Sequence, residues 1–390
     1  MSGGVDSSVA AALLKQEGYD VTGVHMICWE GCENNQDKQD AMRVAAHLGI
    51  PFLVWDFRKE YREAVYDYMV REYMAGRTPN PDVMCNNRIK FGVFLEKALE
   101  NGADYIATGH YVRLMRKSQI TSIKSQTNSK SQINPKSQNS KHERGMNNPS
   151  LSPFPLRRGG GEGVGSLNGL FQAKDFNKDQ SYFLWTLTQD KLKHCLFPIG
   201  DYLKNEIREI ARKANLPVAE KKDSQGLCFV GKVDFGEFLR GAIPEQRGAV
   251  IDSAGKKIGE HDGAYFYTIG QRHGLAIGGQ TEPIYVAERN IFTNTLTIAR
   301  GGADPILYKN EIEVSDLNWI SGEAPGMPFE CFARIRYRQP PQRCMVNYQL
   351  SNVKCSVGFD DRQRAVAPGQ SIVFYKENGE MLGGGIIKYK

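Results

Sequence analysis

The sequence is short of several things. In 390 residues no apolar run approaches the ~20 residues needed to span a bilayer. No secretory leader is legible, because the chain opens directly on a motif. A disulfide framework is missing too. The eight cysteines (28, 32, 85, 195, 228, 331, 344, 355) are scattered without framework spacing, which fits a reducing cytoplasm where a disulfide is transient and catalytic. Bulk basicity is also absent once one segment is set aside. Of the formal net charge of +6, residues 116–168 alone carry +7 and the remainder is near −1. A nucleic-acid footprint must therefore come from local patches.

That segment differs in composition from the rest. Lys-Ser-Gln recurs at 117–119, 124–126, 130–132 and 136–138, followed by Asn, Ser, Pro and a glycine run at 159–161. So little apolar surface cannot offset the entropy of ordering. The expectation is a disordered insert between Val112 and Phe171. It is either a basic arm for RNA or, the plainer reading, a low-complexity expansion without a role.

The most informative stretch is Ser2-Gly3-Gly4-Val5-Asp6-Ser7-Ser8, which runs into the apolar Val9-Ala10-Ala11-Ala12-Leu13-Leu14. Glycines allow close backbone approach. Hydroxyls and unpaired N–H groups at a helix start make an anion site, strengthened by the helix dipole. Asp6 beside it would hold a metal or orient the loop. The loop lacks the lysine of the G-x-x-x-x-G-K-[ST] phosphate loop. The alternative is a glycine turn capping an ordinary helix.

Before the insert, helix and strand patterns alternate. Helices are predicted over 7–17, 37–48, 61–74 and 89–100, and strands over 21–26, 52–55 and 105–108. That order implies an α/β doubly wound parallel sheet with ligands at the strand C-termini. Helices are expected near 178–196 and 204–214. From about 245 short strands and glycine turns take over (264–269, 284–288, 295–299, 330–338, 372–375, 385–388), an all-β portion of two small domains. Cys85, in a proline-rich loop just before a helix, would have a lowered thiol pKa and be a nucleophile, with Asp82 as a proton acceptor or orienting group. Cys228 lies in Asp223-Ser224-Gln225-Gly226-Leu227-Cys228-Phe229, a polar loop with an apolar side. Cys195, Cys331, Cys344 and Cys355 read as small buried hydrophobes. Cys28 and Cys32 read as loop cysteines, since no second pair completes a metal set.

Taken in order, Ser2–Ser8, Gly76–Asp82 with Cys85, Ala107–Tyr111, Lys178–Phe183, Asp223–Phe229, Gly270–Arg272 and Pro368–Ser371 resemble the bacterial tRNA-specific 2-thiouridylases, a family of PP-loop ATP pyrophosphatases. The resemblance covers everything but 116–168. It implies a PP-loop catalytic domain at 1–233, a small central β-rich domain at 234–303 and a C-terminal β-barrel at 304–390. It also implies ATP with Mg2+, bound by Met1, Ser2, Gly3, Gly4, Val5, Asp6, Ser7, Met26 and Gly109. The wobble uridine of tRNAs for Lys, Glu and Gln would be adenylated on its 2-oxygen. Cys228 would carry a persulfide from a sulfur-relay protein downstream of a cysteine desulfurase. Cys85 would act as nucleophile on Cys228, either leaving a Cys85–Cys228 disulfide or freeing hydrosulfide as the attacking sulfur, and Asp82 would manage protons. Asn80, Pro81, Asp82, His110, Lys178, Asp179, Gln180, Arg336, Tyr337 and Gln370 would contact tRNA. The enzyme would act as a cytoplasmic monomer without a membrane partner and without a metal held by protein residues alone. The rival within this reading is an iron–sulfur cluster on Asp82, Cys85 and Cys228. Two other functions stand beside it, a PP-loop amide or argininosuccinate-type ligase acting on a small carboxylate and a non-catalytic RNA-binding relic. In the family a buried strand precedes the loop, whereas only Met1 does here. The expectation is a start codon further upstream and a missing strand of about 6–10 residues with its turn.

Overall fold

The computed structural model describes residues 1–29, 35–116, 167–223, 235–275, 277–278, 282–349 and 354–388. The first part alternates as the pattern predicts: α1 Val5–Gln16, β1 Gly23–Ile27, α2 Asn35–Leu48 and β2 Phe52–Asp56. A long helical run follows, α3 Arg58–Tyr61 and α4 Asp67–Met74 joined by a π-helical turn at Arg62–Tyr66. β1 and β2 pair in parallel, with Met26 opposite Trp55. α1 forms because Gly4 caps it, Asp6 lies in its positive first turn, and an alanine-rich stretch favours the helix. Its Val5, Val9 and Ala10 pack against Ile207 and Ala211, which lie four residues apart on one helix face.

The next helix starts earlier than expected. α5 Pro81–Met84 opens at the cap Asn80, whose Oδ1 accepts from Val83 N at 3.3 Å. It continues through a π-helical stretch, Cys85–Val93, kinked at Phe91–Gly92, into α6 Phe94–Glu100. Cys85 is therefore inside this helical run, not in the loop ahead of it. β3 Ile106–Ala107 follows, and then β4 Val112–Arg116 and β5 Asn168–Gln172 pair as a hairpin. The strands thus take up both flanks of the expected insert, including Arg113–Arg116 and Asn168–Leu170, which lie between Val112 and Phe171. Its expected disorder falls on 117–166, outside the described residues.

The predicted helix over 178–196 does not form. That stretch holds a 3₁₀ turn at Ser181–Phe183, the short α7 Gln189–Leu192 and β6 Cys195–Leu196. β6 pairs in parallel with β3, and among the described residues β1–β2 and β3–β6 are separate parallel pairs. α8 Lys204–Lys213 is where the pattern put it, its Glu206 carboxylate accepting from Leu203 N.

α9 Phe235–Arg240 leads into a four-stranded sheet of β7 Gly248–Ile251, β8 Lys257–His261, β9 Ile284–Asn290 and β10 Thr295–Arg300, ordered β8-β7-β10-β9. The predicted strand at 264–269 is instead a 3₁₀ turn over Ala264–Phe266. Six further strands close a barrel: β11 Tyr308–Trp319, β12 Phe329–Arg334, β13 Gln342–Gln349, β14 Lys354–Arg364, β15 Ser371–Tyr375 and β16 Glu380–Ile387. The order is β11-β14-β13-β12-β15-β16, and β16 returns to β11. β16 also pairs with β5 through Glu380–Phe171 and Met381–Leu170, so the hairpin of the first part continues the barrel sheet. β15 is buried along its whole length. Ile372 and Phe374 fill the barrel core, while Val373 and Tyr375 pack against Tyr182, Trp185 and Leu187.

Candidate functional site

Three elements meet at the glycine loop. Gly3 has φ +72°, and a Cβ there would run into the Asp37 carbonyl oxygen, so position 3 requires glycine. At Gly4 an added Cβ would find only Ser2 Oγ, 3.5 Å away. The cap is open there, a cradle that a side chain would fill. Gly109, past the end of β3, lies directly on the loop; its Cβ would come within 2.8 Å of Asp6 C and Ser7 N. The first-turn N–H groups of a helix have no intrahelical acceptor and can receive an anion at this cap. Ser7 Oγ and Ser8 Oγ donate back to Gly4 O at 3.2 and 2.8 Å. As placed, these hydroxyls hold the cap and do not point outward.

Asp6 is held by side chains from elsewhere in the chain. It accepts from Tyr111 Oη at 2.8 Å and from Lys204 Nζ at 2.7 and 3.0 Å. Lys204 also pairs with Asp223 at 2.9 Å, and Asp223 takes Lys178 at 2.7 Å and Arg208 at 3.0 Å. Burial alone would raise the Asp223 pKa, but the hydrogen bonds from Lys178 and Lys204 outweigh it and bring it to about 2. Burial and the neighbouring Asp6 push the Tyr111 phenol well up. Asp6 therefore orients the loop. Tyr111, Lys204 and Arg208 were not singled out by the sequence reading. A lysine as the first residue of a helix, against the dipole, was the legible signal for Lys204.

Met1 and Met26 both lie along β1 but pack into different clusters. The Met1 backbone nitrogen meets Val24 O, and its carbonyl oxygen lies 3.0 Å from His25 Nδ1. Met26 packs on a cluster of Cys28, Phe57, Tyr61, Val65, Cys85 and Ile89. Cys85 is fully buried there, among apolar side chains and not at an open surface. Asp82 is half-buried one turn ahead of it. Cys28 shares the cluster. Cys195, Cys331, Cys344 and Cys355 are buried as expected. Cys32 and Cys228 lie outside the described residues, and with Cys228 goes any test of the iron–sulfur set. No group of three or more metal-ligating side chains occurs among the described residues, and no helix there is long and apolar enough to cross a membrane.

The expected tRNA contacts separate into two groups. Six of them have partners within the chain, two of these, Asp179 and His110, being buried. Asp179, fully buried, pairs with Arg334 at 2.7 Å and accepts from Ala173 N and Ser181 Oγ. Gln180 Oε1 accepts from Tyr111 N. Lys178 faces Asp223. His110 is enclosed between Phe91 and Phe197, with Nδ1 2.8 Å from Thr108 Oγ1, and burial holds its pKa well below the usual histidine value. Gln370 Nε2 donates to Thr78 O and Pro79 O, both at 2.9 Å. Arg336 donates to the carbonyls of Arg364 and Ala365. In this structure each of these side chains has a partner within the chain. The second group is at the surface. Tyr337, half-buried, packs at a tilt against Phe183 with ring centroids 4.5 Å apart, and the exposed Arg338 lies over its ring at 5.2 Å. Of the arginines in Arg334-Ile335-Arg336-Tyr337-Arg338, the one free to meet a phosphate is Arg338, which the sequence reading passed over.

Asn80 and Pro81 cap the helix that bears Cys85. The loop before them is held by both β-rich parts. Thr78 N donates to Pro368 O at 2.7 Å, and Arg289 Nη2 donates to Thr78 Oγ1 at 3.0 Å.

The chain matches three family models: a tRNA methyl transferase HUP domain over 1–138 and 164–232, a tRNA methyl transferase PRC-barrel domain over 236–300, and an aminomethyltransferase beta-barrel domain over 309–387. Similar proteins named tRNA-specific 2-thiouridylase MnmA include one from Geobacillus thermodenitrificans, 42% identical over 99% of this chain and 93% of that protein. Another, from Francisella philomiragia, is 42% identical over 99% and 97%. One named MnmA 2 from Geobacillus kaustophilus is 43% identical over 99% and 93%.

Proposed function

This chain belongs to the tRNA-specific 2-thiouridylase family and is a tRNA sulfurtransferase, and we propose that it thiolates the wobble uridine of tRNAs for Lys, Glu and Gln by adenylation and persulfide transfer. The observation that carries the reading is the open cap at Gly4, backed by Gly109 and oriented by Asp6, a cradle suited to the phosphates of ATP. Magnesium would arrive with those phosphates and offset their charge.

In this reading the uridine 2-oxygen attacks the α-phosphorus and pyrophosphate leaves. The terminal sulfur of a Cys228 persulfide then attacks C2, and AMP departs with the former 2-oxygen. The Cys85 thiolate attacks the Cys228 sulfur, forming a Cys85–Cys228 disulfide and releasing 2-thiouridine. A reductant restores the thiols. The sulfur comes from a relay protein fed by a cysteine desulfurase, and the enzyme acts as a monomer. Asn80, Pro81 and Asp82 frame the flipped base, with Asp82 moving the proton. Because Cys85 is enclosed with Phe57, Tyr61 and Ile89, the resolving step requires that thiol to leave its cluster.

Exchange of labelled pyrophosphate into ATP tests the reading. Exchange should depend on tRNA and persist in Cys228→Ser, while thiolation is lost. Exchange that depends on an amino acid would point to a ligase, and none at all to an RNA-binding relic. Undiminished thiolation by Cys228→Ser would remove the persulfide role.

A further inference from the structure

Residues 2–8 form a phosphate-type loop without a lysine, and the structure brings one to it from another helix. Lys204 is the first residue of α8, where a cation opposes the helix dipole. It is held there by many partners. Its backbone N–H donates to Asp175 at 3.0 Å, and its ammonium reaches Asp6 and Asp223. It also lies over the Tyr111 ring at 5.8 Å. The Lys204 side chain is only 14% exposed. Neither carboxylate depends on it alone. Asp6 keeps the Tyr111 hydroxyl, and Asp223 keeps Lys178 and Arg208.

We propose that Lys204 supplies the cation missing from the loop at 2–8, moving from Asp6 and Asp223 to the β- and γ-phosphate oxygens of a nucleoside triphosphate seated at the Gly4 cap. Asp6 sits at the second position of α1, so an ammonium already bonded to it lies beside the cap N–H groups. The flexible four-carbon stem allows the shift, and a lysine suits a phosphate as a point charge. No bond is made or broken; the ammonium exchanges carboxylate partners for phosphate oxygens.

The proposal rests on the nucleotide reading above, and the test separates the two. ATP and AMP affinities would be measured by calorimetry on the full chain as wild type, Lys204→Gln and Lys204→Arg, together with melting temperatures. Lys204→Gln should bind ATP about 10- to 100-fold more weakly, the range for loss of a charge-assisted hydrogen bond, and AMP within about 3-fold of wild type. Lys204→Arg should recover most of the ATP affinity. ATP binding by Lys204→Gln within about 2-fold of wild type would overturn the proposal, as would equal loss of ATP and AMP affinity with a lower melting temperature, which marks a structural role. Failure of the wild type to bind ATP would instead overturn the nucleotide reading. A second measurement needs no variant. ATP, but not AMP, should protect Lys204 of the wild-type protein from acetylation read by mass spectrometry, and identical labelling with both would overturn the proposal.

Discussion

Replacing Asp179 by Asn separates a surface contact from an internal brace. The Asp179 carboxylate is fully buried and accepts from Ala173 N at 3.0 Å, Ser181 N at 3.3 Å, Ser181 Oγ at 2.9 Å and Arg334 Nη1 at 2.7 Å. Arg334 is itself buried and lies over the Tyr375 ring at 5.1 Å, and its Nε has no partner among the described residues. An asparagine could keep its oxygen toward the two backbone N–H groups, but its NH2 would then face the guanidinium, donor against donor. Breaking a buried ion pair from one side costs about 3–5 kcal/mol because the remaining charge is left unpaired. Unfolding of a chain with several cores need not be two-state, so the assay compares melting midpoints. The expected fall is roughly 5–15 °C. Asp179→Asn combined with Arg334→Met should lose less than the two single losses together. An Asp179→Asn protein that melts with the wild type yet binds tRNA ten times more weakly would show that the carboxylate meets RNA and that the brace is wrong.

Three further outcomes follow from particular contacts. Gly109→Ala places a methyl within 2.8 Å of Asp6 C and Ser7 N; backbone must shift, and ATP affinity by calorimetry should fall at least about 10-fold, as expected when a phosphate cradle loses one good hydrogen bond, whereas unchanged affinity would show that the loop tolerates the shift. Asp223, lowered from 3.8 to about 2 on folding, stabilises the fold above the unfolded value and loses that contribution as pH falls through this window. Asp223→Asn should therefore flatten acid unfolding there, and superimposable acid curves would contradict the ion-pair hub. Arg338→Ala should weaken tRNA binding about equally across sequences and reduce the salt slope by about one phosphate; an unchanged slope would place the phosphate contact elsewhere.

The sequence was most informative where one physical signal acted alone. The start and apolar run of α1 and the helix near 204–214 were legible because local propensity and burial agree there. The region 178–196 was not. A helix was expected there, yet the apolar residues Tyr182, Trp185 and Leu187 are spent on the barrel: Tyr182 Oη donates to Ser371 O at 2.8 Å and Trp185 Nε1 to Ser371 Oγ at 3.0 Å. Those partners are nearly two hundred residues away, and no local period records them. Partners remote in sequence also explain the polar residues of Lys178–Phe183. By type they suit RNA, but Asp179, Gln180 and Ser181 face Arg334, Tyr111 and Tyr375. Cys85 was expected in a loop ahead of a helix and lies inside the helical run instead, since no local signal could reveal that Phe57, Tyr61 and Ile89 would surround it. β15 explains why alternation fails as a guide to that strand. Both of its faces are buried, one in the barrel and one against the first part, so it reads as a continuous apolar run.

The two β-rich parts do more than extend the surface of this enzyme. Between α4 and the helical run that bears Cys85 the chain makes one loop, Gly76–Asn80, and both parts grip it. Gly76 has φ +72° and a Cβ there would meet Ile291 Cγ2 at 2.9 Å, while Arg289 donates to Thr78 Oγ1; both partners come from the end of β9. From the barrel side, Pro368 O accepts from Thr78 N, Gln370 spans the carbonyls of Thr78 and Pro79, and a Cβ on Gly369 would come within 2.8 Å of Thr78 N. A loop fixed by hydrogen bonds at consecutive residues from two directions has little freedom to choose its own exit angle. That angle sets the cap at Asn80 and, through it, the start of the helix carrying Asp82 and Cys85. A displacement of either β-rich part would reach the first turn of that helix through this loop, and a displacement of the barrel would also reach β5, Asp179 and Tyr182, which it holds directly.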